Sequence, residues 1–429
     1  MPSKCIQKQI TIHKINSSGE GVSFEDSGKT VLVPFTLPGE EVEISLDGPS
    51  KGAMQRASLK KVSVKSPHRQ NAPCPYFGSC GGCQLQHLDE SFYKEYKKQL
   101  VTEAFQKNKL QDHVILDPIL MPSGVRRRIN FKVVKKNKEI LLGFHQRRSH
   151  EILDIKTCLL LLPAFKKLMD SLRDVLPSCL QEREGANIFL TKVSNGFDGM
   201  ISFERQKNLS LNQKESLLQW AAQSQVIKLM LTFPKGEELL VQQEAPEINF
   251  SGTPVLFPSQ AFLQTSKEAE DLMVRTVIAA LPSKHKKILD LFSGLGTFSF
   301  PLAQKGCVDA FESQHKAVQY FNVSAQKNKF PHPIRATQRD LFLYPLSAEE
   351  LNAYDVVVLD PPRAGAVNQI KQLMASKVRR IIMVSCNANT FARDAQLLVG
   401  SGYQMGETHL IDQFLWSPHV ELISSFSRP

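Results

Sequence analysis

The stretch "ILDLFSGLGTFSFPLA", residues 288–303, decides how the chain folds. Its first residues are apolar and strand-like, a turn carrying Gly294 and Gly296 follows, and a helical pattern continues from there. A buried strand that feeds a glycine turn and then a helix opens the ligand-binding half of many α/β sheets, because the backbone can approach a ligand closely where no Cβ intervenes. Three further apolar runs come later: "VDAFES" (308–313), "YDVVVLDPP" (354–362) and "RRIIMVSC" (379–386), separated by helical stretches. The alternation predicts a doubly wound parallel sheet, class α/β, occupying residues 251–429.

The turn also narrows the ligand. Dinucleotide enzymes usually carry three glycines as G-x-G-x-x-G, to accommodate a pyrophosphate. Here Phe298 and Ser299 follow the second glycine and the third is missing. The next strand ends in an acid, Glu312, placed to accept both hydroxyls of a ribose, and Arg339–Asp340 closes a later one. This set, with Phe292 and Gly294 in the turn, favours S-adenosylmethionine (SAM) over NAD.

Two strand ends speak to chemistry. "VVVLDPPRAG" (356–365) stops a buried run at Asp360, and the prolines behind it hold that side chain at the carboxyl edge of the sheet. Amino-methyltransferases use a related D/N-P-P motif to accept hydrogen bonds from the target amine. "IIMVSCNANTFARD" (381–394) then places a thiol, Cys386, at the neighbouring strand tip. Methylation of an amine needs no nucleophile, whereas C5 of a pyrimidine attacks SAM only after a thiolate has added to C6. A base must then remove the C5 proton, and "FLWSPHVE" (414–421) supplies Glu421.

The rest of the chain points to a polyanion. Its 429 residues carry a net charge of +11, which suits phosphates whose counterions are released on binding. From Arg126 to Arg148 there are nine Lys/Arg and one Glu. Ile129, Phe131 and Val133 alternate as on a half-buried strand. Arg126, Arg127 and Arg128, with Lys132, are thereby expected on a basic stripe facing nucleic acid. Residues 1–62 read as short strands with turns at Ser17–Gly21, Asp26–Gly28 and Pro38–Gly39, a small β-barrel. Residues 63–250 form a central domain, including a helix near 90–108 with Phe92, Tyr96, Leu100 and Ala104 on one face. There is no membrane-length apolar run, and "MPSKCIQKQI" lacks a signal core, which predicts a cytoplasmic protein without membrane contact. A monomer with no obligatory protein partner is expected. "CPYFGSCGGC" (74–83) brings Cys74, Cys80 and Cys83 together in C-x5-C-x2-C spacing, with a glycine pair for a sharp turn. Zinc, with His87 as a further ligand, and an iron–sulfur cluster with a fourth thiol from elsewhere both fit that pattern. Cys5, Cys179 and Cys307 have no partner pattern.

Nearly the whole chain resembles the uracil-5 RNA methyltransferases that make 5-methyluridine in tRNA or 23S rRNA. "GEGVSFEDSGKTVLVPFTLPGEEVEISL" is similar to their N-terminal TRAM domain, an RNA-binding OB-like barrel. "LDLFSGLGTFSFPLA", "LDPPRAG", "SCNANTFARD" and "HVE" are similar to their catalytic motifs. The resemblance implies that Cys386 is the nucleophile and Glu421 the base. It places Phe262 and Gln264 of "PSQAFLQTS" against the flipped base and the cofactor, and Asp360 at the uracil edge. "EILDIKTCLLLLP" resembles the segment carrying the last ligand of a 4Fe–4S cluster, which implies a set of Cys74, Cys80, Cys83 and Cys158. The chain departs from the family pattern at Thr265–Ser266, usually Val-Asn, at Ala388–Asn389, usually Pro-Ala, and at Leu415 and Ser417. The rival readings are a cytosine-5 or amine-directed methyltransferase and a non-catalytic iron–sulfur RNA-binding protein.

Overall fold

The computed structural model describes residues 7–25, 28–48 and 52–428. Cys5 and the Asp26 end of one expected turn lie outside them. The chain divides into two compact units. One comprises residues 1–100, 144–153 and 416–419, the other residues 101–143, 154–415 and 420–429.

The first unit contains a six-stranded sheet built from Gln7–Thr11, Lys14–Ile15, Glu20–Phe24, Thr30–Pro34, Glu41–Leu46 and Met54–Val64. Its core is small and aliphatic, with Ile12, Val31, Val33, Val42, Ile44 and Ala57 all buried. The alternation of "EVEISL" is what a half-buried strand requires: Val42 and Ile44 are buried while Glu41 and Glu43 are exposed.

In the second unit one sheet follows the order Ile334–Gln338, Cys307–Glu312, Lys287–Leu291, Val356–Leu359, Arg380–Ser385, Glu421–Ser427, Gln404–Asp412 and Ile119–Leu120. All its pairings are parallel except the two made by Glu421–Ser427. Val356–Leu359 is buried at all four positions, as expected of a central parallel strand covered on both faces. The strand order reverses beside Lys287–Leu291, so a crevice opens beyond Leu291 and Leu359, where ligands bind in such sheets. The helix expected after the glycine turn is only Ser299–Leu302. Pro301 has no N–H to donate, and the chain turns into the next strand at Gly306.

A second sheet lies in the middle of the sequence, in the order Ile152–Asp154, Glu139–His145, Arg128–Lys136, Gly185–Val193, Gly196–Phe203, Val226–Phe233 and Gly236–Gln242. Gly196–Phe203 and Val226–Phe233 are parallel, with helix Leu211–Gln223 as their crossover. The second unit runs without a break from Asp154 to Leu415. Val101, Ala104, Phe105 and Leu110 lie in the same apolar cluster as Leu289, Val357 and Phe391, and Ile119–Leu120 pairs at the edge of the C-terminal sheet. Of the four residues expected on the buried face of helix Glu90–Lys107, Tyr96 and Ala104 are buried. Phe92 and Leu100 are only half-buried, because the buried stripe instead runs through Tyr93, Lys97, Val101 and Phe105.

Candidate active site

The register of the last strand brings together the two residues expected to react, Cys386 and Glu421. Glu421–Ser427 runs antiparallel to Arg380–Ser385, with Leu422 opposite Ser385. One step further, the first residue of one strand and the residue after the other meet at the carboxyl edge, and these are Glu421 and Cys386. Asn387, the next residue, caps helix Ala388–Gly400 by accepting the Asn389 N–H. Asp360 leaves its strand next to this edge, its N–H donating to the Leu291 carbonyl at 3.2 Å.

Cys386 senses Glu421, Asp360 and Arg363, and Glu421 senses Asp360 and Arg363. Burial, Glu421 and Asp360 push the Cys386 thiol up to about 11, opposed by the charge and hydrogen bond of Arg363. The surroundings thus disfavour the thiolate, because the Glu421 and Asp360 carboxyls oppose a further negative charge beside them. Glu421 is buried and pushed up to about 8 by burial and by Asp360, against a hydrogen bond from Gln413 and the charge of Arg363. Desolvation alone pushes Asp360 up to about 7.

Two of the residues expected to hold the cofactor, Glu312 and Gly294, are hydrogen-bonded to each other. Glu312 accepts the Gly294 N–H at 3.0 Å and the Gln314 N–H at 2.8 Å. Gly294 has φ +55°, and a Cβ there would meet nothing within 4 Å, so the turn faces open space. Phe292 also adopts a left-handed backbone, at φ 62°, which costs a non-glycine residue of order 1 kcal/mol and is concentrated at functional loops. Its ring lies 5.4 Å from that of Phe342, which follows Asp340. Asp340 accepts the Phe342 N–H at 2.9 Å. Arg339 of the same pair turns away, onto Glu350.

Phe262 is exposed, with the Arg128 guanidinium 5.8 Å from its ring centroid. Gln264 is buried and accepts from the Gln413 amide at 2.7 Å. Both departures in this segment have local uses. Thr265 bonds Gln413, and Ser266 caps helix Lys267–Ala279 by accepting the Ala269 N–H at 3.1 Å.

The basic run does not form a single stripe. Arg127 is buried, ion-paired with Glu270 and hydrogen-bonded to the Gln264 carbonyl at 3.0 Å. Arg128 donates to the Leu263 carbonyl at 3.1 Å, and Arg126 to the Arg128 carbonyl at 3.2 Å. Arg127 and Arg128 thus brace the segment that carries Phe262 and Gln264, rather than lying on a separate domain. Lys135 is bonded to the Pro177 and Leu180 carbonyls, and Arg147 and Arg148 pair with Glu20. Lys136 and Lys138 remain exposed.

Sequence patterning missed three residues. Asp290 is fully buried, accepts the Ser299 hydroxyl and is pushed up to about 7 by burial, with Asp360 and Glu312 adding to the shift. Its place in "ILDLF" was the available signal. Arg363 stands in the quoted "DPPR" motif. Gln413 has no local signal at all.

The 74–83 loop supplies thiols of the right kind for a soft metal centre. Burial pushes the Cys80 thiol up and Cys74 adds to the shift, against the Gly82 N–H that its Sγ accepts at 3.4 Å. Among the described residues, however, no three His, Cys, Asp or Glu side chains are gathered into a metal-holding group. His87 sits 5.7 and 6.2 Å from the Phe77 and Phe35 rings and is kept neutral, pushed down to about 3 by burial and by Arg69. Cys179 is buried at the end of helix Ala164–Cys179, and Cys307 opens a sheet strand.

Comparison with known proteins places the chain. The model of the tRNA (uracil-5-)-methyltransferase family matches residues 93–426. An uncharacterized RNA methyltransferase of Rhizobium meliloti is 35% identical over 427 residues, covering 98% of this chain and 99% of the relative. The 23S rRNA (uracil(1939)-C(5))-methyltransferase RlmD of Pectobacterium atrosepticum is 30% identical, covering 97% and 93%. Among solved structures, Pyrococcus abyssi tRNA (uracil-54, C5)-methyltransferase in complex with S-adenosyl-L-homocysteine superposes with a TM-score of 0.73 at 25% identity, covering 97% and 99%. The chain belongs to the tRNA (uracil-5-)-methyltransferase family and is a SAM-dependent RNA methyltransferase.

Proposed function

We propose that this enzyme methylates C5 of one uridine in RNA through a covalent adduct between Cys386 and C6. The observation that carries the reading is the meeting of Cys386, Glu421, Asp360 and Arg363 at one sheet edge. The uridine leaves its stack to reach that edge, at a cost of a few kcal/mol, so an unpaired or loop uridine is the substrate. Phe262 offers its exposed ring to the flipped base, and Asp360, partly protonated at neutral pH, can donate to the uracil edge. Cys386 reacts as its thiolate, which Arg363 supports, and as the S–C6 bond forms the charge passes to the uracil enolate. That addition makes C5 a nucleophilic carbon. SAM supplies the electrophilic methyl group. Glu421, made a stronger base by burial, takes the C5 proton, the C6–S bond breaks, and the C5=C6 double bond returns.

Phe292, Gly294, Glu312, Asp340 and Gln264 would hold SAM, with Glu312 on the ribose. The N-terminal β-rich part would serve as a TRAM barrel on RNA, assisted by Arg126. Cys74, Cys80, Cys83 and Cys158 would hold a 4Fe–4S cluster with a structural role, since methyl transfer moves no electrons through the protein. The named relatives act on 23S rRNA and on tRNA, and mass mapping of 5-methyluridine in a deletion strain identifies the target.

Two substitutions test the mechanism. Cys386→Ala should abolish methylation and any covalent complex. Glu421→Gln should allow attack and methyl transfer but stall before elimination, leaving a methylated RNA adduct on denaturing gels. RNA containing 5-fluorouridine should trap the wild-type enzyme, because fluorine is not removed as a proton. Turnover by Cys386→Ala would overturn the reading in favour of an amine target.

A further inference from the structure

We propose that Gln413 is a positioning residue that aims the Glu421 carboxylate and controls the pH at which it serves as base, through one amide shared with the Gln264–Thr265 segment. The inference rests on the uracil-5 reading above.

The orientation of the amide follows from its partners. The Thr265 backbone N–H can only donate, so the Gln413 atom 2.9 Å away is the carbonyl oxygen. The Thr265 hydroxyl shares its one proton between that oxygen, at 2.7 Å, and the Gln413 main-chain carbonyl, at 3.0 Å. The NH2 end must then face the other way, where it donates to Gln264 Oε1 at 2.7 Å and to Glu421 Oε1 at 2.8 Å. Two donors and two acceptor positions are all that an amide has, and all are used. Gln413 is itself buried, so the arrangement has no water to fall back on. It cannot flip without setting its NH2 against the Thr265 N–H.

A fixed donor on a buried carboxylate favours the ionised form. The other groups facing Glu421 are Asp360, which opposes ionisation, Arg363, which favours it, and the Cys386 thiol. Gln413 carries no titratable group, so its removal changes the base without changing the charge of the site. The same amide holds Gln264, and the seating of the two residues is therefore mechanically linked.

The sign of the effect is definite. Without the donated hydrogen bond Glu421 holds its proton to higher pH, so elimination needs a higher pH. Gln413→Met should move the acidic limb of the single-turnover profile upward by about one unit, and slow product formation at pH 7 about tenfold. Methylated adduct should accumulate at pH 7 and resolve as the pH is raised to 9. Thr265→Val removes one of two donors that fix the amide, and should shift the limb in the same direction by less. It also serves as the milder variant should Gln413→Met fold poorly. A rate that falls equally at every pH, with the limb in place and no adduct, would reduce Gln413 to a packing residue and overturn the proposal. Failure of wild-type enzyme to form an adduct with 5-fluorouridine RNA would instead overturn the uracil-5 reading itself, and the inference with it.

Discussion

Cys386 is a thiol that its surroundings keep protonated. Its thiol is pushed up to about 11 by burial and by two carboxyls, while Arg363 pulls the other way. A thiol with a raised pKa exposes little thiolate at neutral pH, which protects it from adventitious oxidation and alkylation. Its alkylation by iodoacetamide should therefore keep climbing through pH 9, where an ordinary thiol, with a pKa of about 8.5, is levelling off. Glu421→Gln, which removes a negative neighbour, should speed alkylation at pH 9 several-fold, and Arg363→Met should slow it. Mass spectrometry of the Cys386 peptide measures both, and a plateau near pH 8 would contradict the electrostatics.

At the scale of elements, the decisive contact joins the start of strand Arg128–Lys136 to helix Lys267–Ala279. Arg127 and Glu270 are buried together, 143 positions apart in sequence. Arg127→Met should destabilise the protein by about 3–5 kcal/mol in urea unfolding, because it leaves a buried carboxyl with only Lys267, at 3.4 Å, to compensate it. Glu270 already has a raised pKa from burial, and losing Arg127 raises it further. The folded state then binds a proton that the unfolded state releases above about pH 4.3, so stability falls as pH rises from there. The defect should be largest above pH 7 and shrink toward pH 5. A double Arg127→Met, Glu270→Met substitution should recover most of the loss.

For the molecule as a whole, the proposed cluster is the feature that local geometry supports least, since no metal-holding group is gathered among the described residues. Protein purified without air should be brown and release about four irons per chain if the proposal holds. Cys158→Ser should then lose iron as completely as Cys80→Ser. A colourless protein with one zinc would overturn the cluster. No helix among the described residues is long and apolar enough to cross a membrane.

What was legible in the sequence is what neighbours along the chain can specify. The glycine turn at 294–296, the proline-fixed Asp360, the thiol after a buried strand and the close spacing of Cys74, Cys80 and Cys83 are each written within a dozen residues. Strand and turn chemistry is local enough to be read there. The basic run from Arg126 to Arg148 was equally visible, yet its charges are divided among Glu270, main-chain carbonyls and Glu20, because an arginine's partner is chosen by what folding brings beside it. The antiparallel direction of the last strand, which sets Glu421 beside Cys386, could not be read from "HVELISSFS" alone. Nor could Gln413, which reaches Gln264 across 149 positions. Periodicity reports which residues are buried, but a hydrogen bond or ion pair depends on direction and distance, and those exist only once the sheet has closed around them.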